Sequence, residues 1–121
     1  MNNRNTPEET TNVYLYENFI TRAYKKGNNN ENGAHASFMM NLIREEKGFH
    51  VATLPDITEQ LISIKKYISD AIDVFLKKDV TDTEYESLII LKDKVKAAKN
   101  SSDLIQIINE GLEITDRFKI E

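Results

Sequence analysis

A chain of 121 residues with no cysteine, no tryptophan and four glycines fits one domain and can bury roughly two-thirds of its unfolded surface. It needs no disulfide or metal staple, and thiolate zinc sites, iron–sulfur clusters and cysteine nucleophiles are excluded. Net charge is −4, and residues 100–121, with five acids against Arg117 and Lys119, carry most of it. A nonspecific nucleic-acid surface requires the opposite sign.

The opening segment, MNNRNTPEETTN, is polar and has no signal-peptide core. No run reaches the ~18 apolar residues of a membrane helix, so a soluble cytoplasmic protein is expected, with residues 1–6 disordered. Thr6, Pro7 and Glu9 then supply an N-cap, a first-position proline and an acid three residues after the cap. Val13, Tyr16, Ile20, Ala23 and Tyr24 follow at helical spacing, and Lys25-Lys26-Gly27 reads as a stop. This predicts a first helix over about 7–26.

GNNNENGA, residues 27–34, reads as a flexible loop. A short second helix over about 35–47 presents Phe38, Met39, Leu42 and Ile43 and stops at Lys47-Gly48. HVATL, residues 50–54, is too short to be more than a loop. The third helix opens with Asp56 and Glu59 in capping-box relation. Ile57, Leu61, Ile64, Ile68, Ala71 and Phe75 form one unbroken stripe, flanked by Ile62, Ile72, Val74 and Leu76.

Thr81 and Glu84 form another capping box, opening a fourth helix to about Lys99 with Tyr85, Leu88, Leu91, Val95 and Ala98 as its stripe. After the break at Asn100–Asp103, a fifth helix to about Phe118 carries Leu104, Ile107, Ile108, Leu112, Thr115 and Phe118. No segment alternates as a half-buried strand would. The fold class expected is all-α, a single domain of about five helices. Short connections make helices three to five an antiparallel up-down-up bundle.

REEKGFH, residues 44–50, is the first candidate for chemistry. Arg44 and His50, with five residues between them, resemble the Arg…His signature of the HEPN superfamily, all-helical domains many of which are RNases. The resemblance implies that Arg44 stabilises charge on a phosphate and His50 moves a proton at a ribose hydroxyl. Glu45 stands where that family carries a polar, often amide, residue, and the motif lies early in the chain rather than on a late helix. Arg44 and Lys47 equally suit the last turn of a helix, where the dipole favours cations.

Metal ligation by Glu46 and His50, or by Glu31 and His35, requires an unbroken helix, and Gly48 and Gly33 interrupt both. No Glu-x-x-His pair of the di-iron kind is present, and no cofactor is expected. Lys92, Lys94, Lys96 and Lys99 follow Asp82, Glu84 and Glu86 on the fourth helix, the order its dipole favours. A helix-turn-helix fails because SSDLIQIINEGLEI has no Arg or Lys. Phosphate loops and nucleophile elbows are absent from the sequence.

What remains is a non-catalytic module that binds another protein or a second copy of itself, in the format of small acidic antitoxin and immunity proteins or of an assembly subunit. Two faces are candidates. One is the aromatic set Tyr14, Tyr16, Phe19 and Tyr24, which either covers the bundle as core, the commoner role, or serves as an interface, since tyrosine-rich helices suit one. The other is the acidic set Glu110, Glu113 and Asp116, suited to a basic partner. Gly111, placed mid-helix at about 1 kcal/mol relative to Ala, marks a close crossing or a partner's approach. The alternative is a HEPN-like RNase acting through Arg44 and His50.

Overall fold

The computed structural model describes residues 7–24, 42–44 and 54–119. Its elements are α1 (Pro7–Tyr24), a helical stretch at residues 42–44 labelled α2, α3 (Leu54–Leu76), α4 (Asp82–Ala97), α5 (Ser101–Ile114) and a 3-10 turn at Asp116–Phe118. The fold is all-helical, and no strand occurs among the described residues. None of their helices is long and apolar enough to cross a membrane. The expected disorder of residues 1–6, the loop at 27–34 and most of the second helix lie outside the described residues.

Pairings between helices fix their direction. Lys65 on α3 donates to the carbonyls of Lys96 and Ala98, while Asp73, two turns on, meets Lys92. Advancing along α3 therefore means retreating along α4. The same holds for Lys94 with Glu110 and Glu84 with Arg117 across α4 and the last segment. Helices α3 to α5 are thus the antiparallel up-down-up unit. Helix α1 packs on both α3 and α5, which closes a four-helix ring with α1 and α4 on opposite corners.

The core follows the stripes that 3.6-residue periodicity dictates. Tyr16, Phe19, Ile20 and Ala23 come from α1, Ile64, Ile68, Ala71, Ile72 and Phe75 from α3. Leu88, Leu91 and Val95 come from α4, and Leu104, Ile107 and Ile108 from α5. Leu42 and Ile43 are buried with them. The Phe19 and Phe75 rings lie 5.3 Å apart, tilted by 42°. Gly111 is a close crossing, for a Cβ there would stand 2.6 Å from Cε1 of Phe19 and 3.2 Å from Cδ2 of Leu91.

Two expected boundaries and one stripe residue are corrected. Helix α3 begins at Leu54, inside the segment read as a loop, so Asp56 lies within the helix and not at its cap. Pro55 tolerates this because first-turn N–H groups have no intrahelical acceptor to lose. The fifth helix stops at Ile114 rather than Phe118. Arg22 of α1 donates to the Leu112 carbonyl at 2.9 Å, a group that a continued α-helix would have satisfied, and the chain tightens into the 3-10 turn.

Tyr85 is the third correction, being exposed rather than on the core stripe. The stripe through Leu88, Leu91, Val95 and Ala98 runs back to Glu84, whose side chain is only 18% exposed. Glu84 takes that inner position because its carboxylate accepts three bonds there, one from the Thr81 N–H and two from Arg117.

Candidate functional site

The ionisable groups moved furthest from their ordinary behaviour are sites worth testing for chemistry. Glu84 closes the capping box, accepting from the Thr81 N–H at 2.8 Å while its own N–H donates to Thr81 Oγ1 at 3.0 Å. Its carboxylate also accepts from Arg117 Nη2 at 2.7 Å and Nε at 3.1 Å. The Arg117 bonds first, and the Thr81 N–H second, hold the Glu84 carboxyl down to about 2. Arg117 in turn donates to the Asp79 carbonyl at 2.6 Å and lies 4.5 Å over the Phe118 ring. This cluster clips the 3-10 turn onto the α3–α4 connection.

Because an unfolded Glu84 takes up its proton near 4.5 and the folded one near 2, the clip stabilises fully above that window and is lost as pH falls through it. The expected result is a Tm gap between wild type and Glu84→Gln that is widest near pH 6 and narrows steadily towards about pH 3. A gap constant over that range in thermal scans would show that Glu84 is not held as an anion.

Arg22 is the second perturbed group. Only 7% exposed, it donates to the Leu112 carbonyl and, at 3.2 Å, to Thr115 Oγ1, which itself donates to the Gly111 carbonyl at 2.7 Å. Burial lowers its pKa and Asp116 opposes that. Burial likewise raises the Tyr16 hydroxyl. Glu84 and Arg22 therefore work as ties within the bundle. Among the described residues, no three His, Asp or Glu side chains converge as a metal would require.

The sequence candidates separate as follows. Tyr16 and Phe19 lie in the core, which removes them from any partner-binding face, because α1 docks on α3 and α5 through the stripe they share with Ile20 and Ala23. Tyr14 and Tyr24 stay exposed, ten positions apart. Glu110 is bound to Lys94 at 2.8 Å, and Asp116 lies in the field of Arg22, whereas Glu113 is exposed. Glu113 and Asp116 line a shallow groove of about 520 Å³ beside Arg22, Asn109 and Leu112. Arg44 is helical and half-buried, and His50 lies outside the described residues.

A face that sequence reasoning missed stands on the opposite corner of the ring. Asp82, Tyr85, Glu86, Ile89, Asp93 and Lys96 are all exposed on α4, at the three- and four-residue steps that align side chains along one side of a helix. Tyr85 is 48% exposed, Ile89 38% and the adjacent Ile90 57%. The signal was present in the sequence: α4 carries apolar residues at helical spacing on two sides, and a bundle helix has only one side to bury.

No family model, curated protein or solved structure matches this chain.

Proposed function

We propose that the chain is a non-catalytic helical module that binds protein through the outward face of α4. The carrying observation is the exposure of three large apolar side chains, Tyr85, Ile89 and Ile90, within six residues of one helix. Apolar side chains clustered on an otherwise charged surface mark interaction sites, and tyrosine is enriched at their centres. Asp82, Glu86, Asp93 and Lys96 surround them, the polar rim that gives an interface register and encounter rate. Supporting the non-catalytic part, Glu84, Arg117 and Arg22 direct their polar atoms at other helices of the bundle.

Affinity capture from the producing cells tests this, using the tagged chain beside its Ile89→Glu variant, with RNase present. The expected outcome is one protein recovered in stoichiometric amount by the wild type and lost with the variant. Identical recoveries from both would sink the reading. RNA recovered without RNase, and retained by Ile89→Glu, would favour the RNase alternative on Arg44 and His50.

A further inference from the structure

We infer that residues 116–119 form a strap that opens as a unit, hinged at Thr115, while the four-helix ring stays folded. The two sides of the hinge are held in different ways. Thr115 is buried, accepts from Arg22 Nη1 and donates to the Gly111 carbonyl. Separating those groups leaves polar atoms without partners in a water-poor setting, so the hinge resists opening. Beyond it, no residue of the 3-10 turn is buried. Within the turn the Phe118 N–H donates to the Thr115 carbonyl at 2.9 Å and the Lys119 N–H to the Asp116 carbonyl at 3.1 Å.

The ties that fasten the strap to the bundle lie at the surface. Arg117 and Asp79 are exposed, and water can replace the bonds from Arg117 to the Asp79 carbonyl and to Glu84 at little cost. Phe118, half-buried, sets its ring 6.0 Å from that of Phe75, and Lys78 Nζ lies 5.9 Å from both. One aromatic contact and one exposed clip fasten less firmly than the buried stripes that hold the helices. Segments held in this way belong to the low-stability end of a fold.

Opening leaves α4 intact. Glu84 keeps both bonds of its capping box with Thr81, which are local to the start of α4, and gives up the two from Arg117. The side of Phe75 that Phe118 covers becomes accessible near that freed carboxylate. The strap is thus a conformational device: closed, it hides an apolar and acidic patch at the α3–α4 connection, and open, it releases that patch without unfolding the bundle.

Native-state hydrogen exchange in low urea tests this on the unaltered chain. The Phe118 and Lys119 amides should be equally protected, with rates nearly independent of urea, because a small opening exposes little surface. Amides within the bundle, such as those of Leu91 and Ile108, should exchange faster as urea rises. Arg117→Ala should speed both strap amides about tenfold. The chain has no tryptophan, so Phe118→Trp supplies a single emitter on the strap. Adding Arg117→Ala to it should raise acrylamide quenching while circular dichroism stays unchanged. Strap amides that follow urea as steeply as Leu91 overturn the inference, since the strap would then open only with the bundle. Exchange at the unprotected rate overturns it as well, because no closed strap would exist. Unequal protection of Phe118 and Lys119 would replace a unit with residue-by-residue fraying, and quenching unmoved by Arg117→Ala would show that the clip does not hold the strap closed.

Discussion

Phe19→Ala is expected to lower the stability of the fold by about 3–5 kcal/mol, the usual range for deleting a buried aromatic ring. Against a total of about 5–15 kcal/mol for a domain, that is a large share. Phe19 is fully buried, and its ring lies against Phe75 on α3 and over Gly111 on α5, where Leu91 of α4 also approaches. Urea unfolding measures the loss, and a value below about 1 kcal/mol would mean that the ring does not sit at that junction.

Gly111 makes the test sharper. In the wild type, Gly111→Ala forces the Phe19 ring aside, costing about 1–3 kcal/mol of overpacking against about 1 kcal/mol gained in helix propensity. The expected net change is a loss of up to about 2 kcal/mol. Once Phe19 is Ala the obstruction has gone, and the same substitution should become neutral or stabilising. That reversal of sign is a coupling of the kind adjacent residues show. Independent, additive losses would place Phe19 and Gly111 out of contact.

Local signals were legible in the sequence, and relations between distant residues were not. Thr81 and Glu84 are three positions apart, so their capping box could be read directly, and both of its bonds are present. The Asn100 cap is similar, with the Asp103 N–H donating to its side chain at 2.9 Å. The stripes of α3 and α5 were legible because burial on one side of a helix imposes its period. In contrast, the bond from Arg22 to the Leu112 carbonyl joins residues 90 positions apart, and no periodicity announces it. Arg22 is a basic residue in the last turn of its own helix, yet it serves the end of α5. Lys65 does the same for α4 through the Lys96 and Ala98 carbonyls.

The aromatics of α1 divide between core and surface for a related reason. Tyr14, Tyr16, Phe19 and Tyr24 are close in sequence, but a helix separates neighbours by about 100° each. Tyr16 and Phe19 fall on the core stripe and Tyr14 and Tyr24 outside it. On α4 the reverse holds. Tyr85, aromatic and three residues from Leu88, fits the core stripe by spacing, but the inner position belongs to Glu84, held there by Arg117.

Arg22→Ala is the second large effect expected, a loss of about 2–4 kcal/mol. Three contributions make it up. The Leu112 carbonyl and the Thr115 hydroxyl oxygen lose a charged donor in a water-poor setting, which costs about 1–3 kcal/mol. The end of α5 loses its cation, worth about 0.3–1 kcal/mol. The aliphatic stem, almost wholly covered, leaves a gap. Arg22→Met separates these, since it keeps the stem and removes only the donors, so it should recover part of the loss but not all. Arg22→Lys restores charge but cannot span both acceptors as a planar fork does, and it too should fall between Ala and wild type. Hydrogen exchange supplies a readout that packing alone would not move. With Arg22→Met, amides in the last turn of α5 and the 3-10 turn should exchange faster, while those of α4 keep their protection. Equal acceleration in both places would mean that Arg22 stabilises the bundle only as bulk, and that the hydrogen bonds joining α1 to the end of α5 contribute little.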